Sequence, residues 1–559
     1  MIVSREETSL NHLSTGVWGR VTLDQVLEKN AKVKPDKLAV VDFADRRTWT
    51  SGDPRRLTFA ELNARVETLA AFFSGLGLQP DSVVGVQMPP ASDAIVVFLA
   101  VLRAGLIVAP LPLAWREAEV IENLARIGAK AIVTVATVEG DALGERLRGV
   151  AGELFQIRFV FAAGGDVPDG LIDLDRVFAE GESLGAAPDL VRKGNAADHA
   201  ATISWSLGLE TGVVPTVKSH NHWIATGLMT LLEARIDHTA VLLSPYALSS
   251  TVSIGGVLVP WLLGCGTLVT GLPMSVDKIA EAAVAEGATH VVAPERFARR
   301  VVERLDMHRH DATILVAAGD KANEAELPRG TRAVDLTPLG EVALIARRRT
   351  DPSLAEALPV GLVGSPSDTG FAPLLVETRV KATQQRAGDQ ARGSAAGGEL
   401  LVRGSMVPEF RLGPAGRLLP VGTDDNWLSS GLSVQIVSLQ PPKFALRGPA
   451  GETLGQGPAA IDLRELDRLY QSVPGIGDAA AVPFPNAESG RIAAVVVPRA
   501  GQKLDRDAYI AAIADARVAP NKVPVEVFVV PSIARSSTSD RVLRAGMASR
   551  LAGLVGKDR

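Results

Sequence analysis

The segment from Ser206 to Pro215 has two glycines that could form a tight turn around a phosphate, but few side chains that could bind one. It reads S-L-G-L-E-T-G-V-V-P, and its two glycines allow a tight turn whose backbone N–H groups could face an anion. Hydroxyl and lysine side chains would normally complete such a site. Four positions around the glycines carry apolar side chains that cannot donate a hydrogen bond to a phosphate: Leu207, Leu209, Val214 and Pro215. Proline also has no N–H to donate.

This segment runs directly into Ser219-His220-Asn221-His222-Trp223, and the combined pattern resembles a known superfamily. Adenylate-forming enzymes, which include acyl-CoA synthetases, luciferases and peptide-synthetase adenylation domains, carry T-S-G-[ST]-T-G-x-P-K-G followed shortly by S-H. The segment from Gly398 to Gly404, G-E-L-L-V-R-G, is similar to their G-E-L-x-V-R-G strand. The resemblance runs from about Val21 to Arg544. It implies an α/β fold with a large layered N-terminal domain and a small mobile α+β C-terminal lid.

Local patterns in the chain fit this architecture. Thr58-Phe59-Ala60-Glu61 predicts a capping box, with apolar residues at helical spacing behind it, and residues 83–86 read as a buried strand. This alternation of helix and strand predicts a sheet covered by helices on both faces. A glycine and proline cluster at residues 448–458 marks a boundary, so we predict domains at 1–447 and 448–559. The second domain should contain helices near 463–469 and 506–516 and strands near 492–497 and 525–530.

Three further motifs keep the frame of the superfamily and lose ligands for ATP. The resemblance implies Y-G-x-T-E, with an aromatic on adenine, a threonine on the α-phosphate and a glutamate on Mg²⁺. Here the run is T-P-L-G-E and only Glu341 survives. The aspartate that holds the ribose in relatives is replaced by Leu432. Near the C-terminus, Arg541 is the nearest match to the lysine that drives adenylate formation, and a surface ion pair with Asp540 explains it equally well.

The same resemblance assigns roles to specific positions. Glu341 and His220 are the predicted catalytic residues, Gly451 is the predicted hinge, and no metal site is expected. The predicted cofactor-binding residues are Gly319, Asp320, Lys321, Asp335, Leu336, Thr337, Gly455 and Gly457. The predicted substrate-binding residues are Trp223, Leu248, Thr251 and Ala318. The glycines at 455 and 457 would let a pantetheine arm pass close to the backbone.

These patterns favour a non-adenylating acyl-CoA ligase, an enzyme that transfers an acyl group from a preformed acyl-adenylate to CoA. CoA and acyl-AMP are then the expected ligands, ATP and Mg²⁺ are not expected, and a separate adenylating enzyme is the expected functional partner. Two alternatives stay open. One is an ATP-dependent acyl-CoA synthetase with an atypical phosphate loop, and the other is a non-catalytic protein that binds acyl-adenylate.

The composition bears on binding partners and on cellular location. The 559 residues are 47% apolar and 22% charged, with a net charge of -5, so no basic surface for nucleic acid is indicated. Cys265 is the only cysteine, which favours a reducing, cytoplasmic location. Residues 251–274 carry no charge, but glycines and Pro260 interrupt them. We therefore expect a buried helix and strand there and no membrane partner.

Overall fold

The structure is a computed structural model of the chain, and it describes most of the 559 residues. The described residues are 1–181, 185–188, 190–208, 212–319, 325–369, 372–382, 397–413, 416–423, 425–449, 453–454, 461–484, 491–499, 501–535, 542, 544 and 547.

Helices are distributed along the whole chain. Their bounds are α1 Glu6–Ser14, α2 Leu23–Val33, α3 Phe59–Gly75, α4 Ser92–Arg103, α5 Glu117–Ile127, α6 Leu143–Glu153, α7 Leu174–Ala179, α8 His220–Ala234, α9 Thr251–Ser253, α10 Val259–Gly264, α11 Val276–Ala285, α12 Glu295–Met307, α13 Leu463–Gln471 and α14 Arg506–Ala514.

Strands alternate with these helices in the first half of the chain and predominate after α12. Their bounds are β1 Leu38–Asp42, β2 Arg56–Thr58, β3 Val83–Val86, β4 Ile107–Pro110, β5 Ala131–Val135, β6 Phe159–Ala163, β7 Ile172–Asp173, β8 Ala200–Gly208, β9 Gly212–Ser219, β10 Val241–Ser244, β11 Thr267–Thr270, β12 His290–Pro294, β13 Thr313–Ala317, β14 Arg332–Leu339, β15 Ala343–Arg348, β16 Leu358–Pro359, β17 Gly361–Gly364, β18 Leu374–Ala382, β19 Gly397–Arg403, β20 Phe410–Leu412, β21 Leu418–Pro420, β22 Leu428–Leu439, β23 Pro442–Pro449, β24 Thr453–Leu454, β25 Ile461–Asp462, β26 Ile476–Pro483, β27 Ile492–Pro498 and β28 Glu526–Val529.

Two large sheets form the body of the protein. One has nine strands in the order β21-β20-β9-β8-β4-β3-β5-β6-β7, and the other has eight in the order β15-β14-β13-β12-β10-β11-β1-β2. The central strands of both run parallel, whereas the hairpins β8–β9 and β14–β15 are antiparallel. Helices pack on the faces of these sheets, as parallel strands buried on both sides require. The layered α/β arrangement that the sequence predicts is confirmed.

Local sequence signals place several of these elements correctly. The Thr58 side chain accepts from the Glu61 amide and the Glu61 carboxylate accepts from the Thr58 amide, so α3 begins with the predicted capping box. The uncharged stretch from Thr251 is a buried helix with a π-helical turn at Ile254–Leu258, and it ends before strand β11. Among the described residues, no helix has the length and apolarity needed to cross a membrane.

A six-stranded antiparallel sheet, in the order β16-β23-β22-β19-β18-β17, leads toward the C-terminal part of the chain. Beyond it, α13 and α14 pack with the three-stranded sheet β26-β27-β28 around a separate apolar core. The two helices and the strands β27 and β28 occur where the sequence predicts them, whereas the strand β26 was not predicted. The domain boundary after residue 447 stays a prediction.

The C-terminal unit is held against α5 by buried charge. Lys522 Nζ lies 2.9 Å from the Glu119 carboxylate, and both side chains are less than a tenth exposed. The same carboxylate accepts from the amides of Arg116 and Ala519, at 2.9 and 3.0 Å. Glu119 therefore joins the first turn of α5 to the C-terminal unit through two donors, the Ala519 amide and the Lys522 ammonium.

Candidate active site

The flanks of the predicted phosphate loop pair as an antiparallel hairpin. Strands β8 and β9 are in register from Thr202↔Lys218 to Gly208↔Gly212, and the Ser206 hydroxyl donates to the Val214 carbonyl at 3.2 Å. The paired residues satisfy each other's backbone groups across the ladder, so those groups do not face an anion. Leu209 lies outside the described residues.

The motif that contains Glu341 forms a tight turn between β14 and β15. Gly340 and Glu341 have φ of +62° and +64°, and the Val342 amide donates to the Leu339 carbonyl at 3.2 Å. Two successive residues with positive φ are typical of the type I′ turn of a two-residue hairpin. This turn replaces the threonine-bearing segment that the resemblance implies.

The backbone of β22 closes the space beside Gly340. A Cβ atom built on Gly340 would lie 1.7 Å from the carbonyl oxygen of Ser430. No side chain fits there without movement of one strand, so this position provides no ligand for an α-phosphate. Two residues farther along β22, the Leu432 side chain is fully buried. This is the position at which the resemblance implies an aspartate that holds the ribose, and a leucine offers the ribose no hydrogen bond.

Glu341 is directed inward and bonds to the start of α9. Its carboxylate accepts from the Thr251 amide at 2.5 Å, and its backbone carbonyl accepts from the Thr251 hydroxyl at 3.0 Å. Burial raises the pKa of the Glu341 carboxyl, and these hydrogen bonds oppose that shift in part. The structure thus brings the predicted catalytic Glu341 and the predicted substrate residue Thr251 into contact.

Lys218, which the sequence reasoning did not select, lies in the same region. Its side chain is fully buried, and its Nζ stands 4.2 Å from the centroid of the Trp223 ring. No hydrogen-bond acceptor reaches that Nζ among the described residues. Burial lowers the pKa of Lys218 to about 7, and the negative charge of Glu341 acts in the opposite direction. A desolvated cation–π contact of this kind stabilises by about 2 kcal/mol.

One sequence signal could have identified Lys218. It is the only Asp, Glu, Lys or Arg residue between Glu210 and Glu233, and it stands at the end of a strand just before the helix cap Ser219. A lone charge in an uncharged, apolar run indicates either a solvent-facing position or a buried group with a distant partner.

The two histidines at the start of α8 are buried and neutral. His220 Nδ1 accepts from the Leu23 amide at 3.2 Å, and His222 Nδ1 accepts from the Ser219 amide at 3.0 Å. Burial lowers the pKa of each imidazole to about 3. His220 is tied to α2 by its bond to Leu23, and its predicted catalytic role is a proposal.

The remaining predicted substrate positions are Trp223, Leu248 and Ala318. Trp223 is fully buried and its Nε1 donates to the Thr202 hydroxyl at 2.8 Å, while Leu248 lines a small apolar cavity with Phe98 and its neighbours. Ala318 is buried and its amide donates to the Leu336 carbonyl at 2.9 Å. These side chains are apolar or make internal hydrogen bonds, and their predicted contact with the substrate stays a prediction.

The predicted cofactor residues on β14 already have internal partners. Arg349 binds the Asp335 carboxylate through two nitrogens at 2.8–3.0 Å, and both side chains are buried. Asp335 and Thr337 also line a cavity of about 140 Å³ against β23. Leu336 is fully buried, and a Cβ on Gly256 would meet its side chain at 3.2 Å.

The Gly319 amide donates to the Glu295 carboxylate at 2.8 Å. Several predicted positions lie outside the described residues: Asp320, Lys321, Gly451, Gly455, Gly457, Asp540 and Arg541. In the part of the chain that the structure describes, no group of three or more His, Cys, Asp or Glu residues could hold a metal ion.

Comparisons with known proteins agree with this architecture. The profile of the family described as AMP-binding enzyme matches residues 27–407. A salicylyl-CoA synthase / salicylate adenylyltransferase from Streptomyces sp. is 26% identical, over 94% of this chain and 93% of its own length. A 2-hydroxy-7-methoxy-5-methyl-1-naphthoate–CoA ligase from Streptomyces carzinostaticus is 25% identical over the same shares.

Among solved structures, the amide bond synthetase McbA from Marinactinospora thermotolerans aligns with a TM-score of 0.71 and 18% identity. The alignment covers 95% of this chain and 99% of that one. At this identity the likeness establishes the fold. The profile match spans more than half of the chain. The protein therefore belongs to the AMP-binding enzyme family and is an acyl-CoA ligase-like enzyme.

Proposed function

We propose that the protein is a non-adenylating acyl-CoA ligase, which converts a preformed acyl-adenylate and CoA into acyl-CoA and AMP. A separate enzyme of the adenylating class would make the acyl-adenylate. In this proposal the other enzyme catalyses the first half-reaction, adenylation of the acid, and this protein catalyses only the second, acyl transfer to CoA.

The observation that carries the proposal is the closure of the turn at Gly340 by the Ser430 carbonyl. In relatives this position bears the threonine that contacts the α-phosphate. Here a Cβ would lie 1.7 Å from a carbonyl oxygen. A hydrogen bond to a charged group contributes roughly 1.5–3 kcal/mol, and each 1.36 kcal/mol changes a rate about tenfold. Loss of this ligand together with those of the phosphate loop would slow adenylation by many powers of ten.

The remaining step needs less from the protein. The CoA sulfur attacks the carbonyl carbon of the acyl-adenylate, a C–S bond forms, and the C–O bond to phosphate breaks. AMP leaves with the electron pair, and the thiol proton goes to solvent. This step needs no ATP and no protein nucleophile, because the mixed anhydride is already activated. Positioning of the two reactants is then the main contribution of the site.

The acid is proposed to be bulky and apolar. The two curated relatives are named for salicylate and for a naphthoate, both ring-bearing acids. The pattern of lost ligands also resembles the non-adenylating acyl-CoA ligase of platensimycin and platencin biosynthesis. That resemblance would make the acid a large polycyclic diterpenoid.

The test separates the two half-reactions with purified protein. One series receives ATP, Mg²⁺, CoA and a panel of ring-bearing acids, and pyrophosphate exchange is followed. A second receives synthetic acyl-AMP and CoA with a chelator present, and acyl-CoA is followed. We expect exchange at background level in the first series and catalysed thioester formation in the second.

Each other outcome supports an alternative. Robust acid-dependent exchange would contradict the proposal and favour an ATP-dependent synthetase with an atypical loop. Tight binding of acyl-AMP without accelerated transfer to CoA would favour a non-catalytic binding protein.

A further inference from the structure

The three tyrosines of the chain use their hydroxyl groups differently. In the C-terminal unit, Tyr470 donates to the Lys522 carbonyl at 2.7 Å and Tyr509 donates to the Tyr470 carbonyl at 2.9 Å, and both rings are buried. Tyr246 lies outside that unit and is only partly buried. Its amide bonds to the Ser244 hydroxyl at 3.4 Å, but among the described residues none accepts a hydrogen bond from its own hydroxyl. Within the described structure, Tyr246 therefore offers a donor to a ligand.

The topology of the eight-stranded sheet gives this tyrosine a special place. Tyr246 follows β10 at its carboxyl end, in the connection to α9. The strand β11, which comes next in the chain, pairs with one side of β10, and β12 pairs with the other side, both parallel to it. The strand order therefore reverses at β10. In open α/β sheets, ligands bind in the crevice outside the carboxyl ends of the strands at such a reversal.

The connection that carries Tyr246 borders the candidate active site. Residues 245–250 are all partly exposed, although Thr251 directly after them is fully buried. Leu248 of this connection lines a small cavity with Val86, the last residue of β3 in the other large sheet. Thr251 ends the connection and bonds to the Glu341 carboxylate through its amide. The connection therefore lies between the carboxyl ends of both sheets, one residue before the Glu341 contact begins.

The side chain of Tyr246 combines an apolar ring with a single polar atom. Its ring packs against the main apolar core, and the next two residues, Ala247 and Leu248, add no polar side-chain group. Burial raises the pKa of the Tyr246 phenol, so the hydroxyl keeps its proton at neutral pH and acts as a donor. A ligand that displaces water from this hydroxyl must supply an acceptor, since an unpaired polar group is costly to bury.

We propose that Tyr246 contacts the acyl part of the substrate and donates a hydrogen bond to an oxygen on it. The preferred acids are then ring-bearing acids with a hydroxyl, ether or ketone oxygen, in preference to the same rings without it. That the ligand is an acyl-adenylate rests on the proposed function. A site that hydrogen-bonds a substituent discriminates against the analogue that lacks it, because a buried polar group is then left unpaired.

Binding of unreactive adenylate mimics tests the assignment. The probes are acyl sulfamates of adenosine, in pairs with and without the ring oxygen: 2-hydroxybenzoyl and benzoyl, 2-hydroxy-1-naphthoyl and 1-naphthoyl, and tricyclic acyl groups with and without a ketone. By calorimetry we expect the wild type to bind the oxygenated member of a pair about threefold to tenfold more tightly. Tyr246→Phe should bind both members equally and should keep the wild-type affinity for the member without oxygen.

Two results would overturn the proposal. One is a preference for the oxygenated member that persists unchanged in Tyr246→Phe. The other is a wild type that binds no pair in the panel or binds both members of every pair equally, since the assigned class of acid would then be wrong.

Tyr509→Phe is the matched control, because it removes a hydroxyl that has a protein partner. It should lower the urea midpoint and keep the preference for the oxygenated mimic. Tyr246→Phe should keep the wild-type midpoint, and a loss as large as that of Tyr509→Phe would show a protein partner and overturn the proposal. These measurements use no ATP, no CoA and no turnover. Failure of acyl transfer with an intact oxygen preference would therefore contradict the proposed function and leave the role of Tyr246 standing.

Discussion

At the scale of single residues, burial decides the chemistry of the groups in and around the site. The imidazoles of His220 and His222 have pKa values lowered to about 3 because their charged forms would lose hydration. Both rings instead accept backbone N–H groups at the start of helices α2 and α8. In this structure each imidazole accepts a hydrogen bond from a backbone amide that would otherwise be buried without a partner. An Nδ1 atom can accept that bond only in the neutral form.

This state predicts an acid-labile fold. A histidine with a pKa of about 6.5 when unfolded and about 3 when folded adds stability that is fully present above pH 6.5. That stability is lost as the pH falls from 6.5 toward 3, because the unfolded state takes up the proton first. Each such histidine should remove about 2 kcal/mol of unfolding free energy between pH 7 and pH 5.

Urea denaturation at the two pH values measures this loss. His222→Asn keeps an acceptor for the Ser219 amide and should lose about 2 kcal/mol less than the wild type over the same interval. His238→Asn removes an exposed histidine and is the matched control. An unchanged pH dependence in His222→Asn would mean that His222 is protonated in the folded protein.

At the scale of elements, the contact between a hairpin turn and a neighbouring strand closes the site. The β14–β15 turn needs positive φ at Gly340, and β22 needs the space that a side chain there would fill. Conformation and packing therefore both require glycine at this position. Restoring the threonine of relatives would require a shift of one strand.

Two alanine variants separate the contributions of conformation and packing. Gly287 has the same φ of +62° as Gly340, and a Cβ built on it meets no atom within 4 Å. Gly287→Ala should cost about 1–2 kcal/mol, the usual penalty of a left-handed conformation. Gly340→Ala should cost at least about 3 kcal/mol, since overpacking adds to that penalty. Equal losses in urea denaturation would show that β22 yields easily and that the site can open.

At the scale of the whole molecule, buried charge fixes the C-terminal unit on the N-terminal domain. Lys522 and Glu119 pair at 2.9 Å in a nearly dry contact, whereas Arg517 and Glu153 pair at 3.0 Å on the exposed rim of the same interface. A rotation of the C-terminal unit between two reaction steps would have to break such contacts. The single step proposed above would allow the protein to keep them.

The two ion pairs should therefore respond differently to mutation. Lys522→Met leaves Glu119 buried without its cation and should weaken docking by about 3–5 kcal/mol, whereas Arg517→Met should change it by less than about 1 kcal/mol. Hydrogen exchange in α5 and α13 reports the docking. The double variant Lys522→Met/Glu119→Gln should recover much of the loss. If hydrogen exchange in α5 and α13 is the same in Lys522→Met and Arg517→Met, other contacts of the interface stabilise the docked state.

Much of the fold follows from local sequence. The capping box at Thr58 begins a helix because its hydrogen bonds are made within one turn, and the uncharged run from Thr251 is buried because it carries no group that needs water. The lost ligands at Leu207, Val214 and Leu432 can likewise be read directly, since a side chain that is absent cannot bind. These features depend on residues close together in the chain.

Only the tertiary structure shows which contacts the residues of the candidate site make. The Ser430 carbonyl meets Gly340, the Lys218 amine lies over the Trp223 ring, and Arg349 binds Asp335. The resemblance assigned Glu341 and Asp335 to ligand binding. The sequence motifs do not show that Thr251 and Arg349 bind these carboxylates in the folded protein. Hydrogen bonds and ion pairs in the interior form between groups that are close in space but distant in the sequence. Only the tertiary structure therefore shows which partners these groups have.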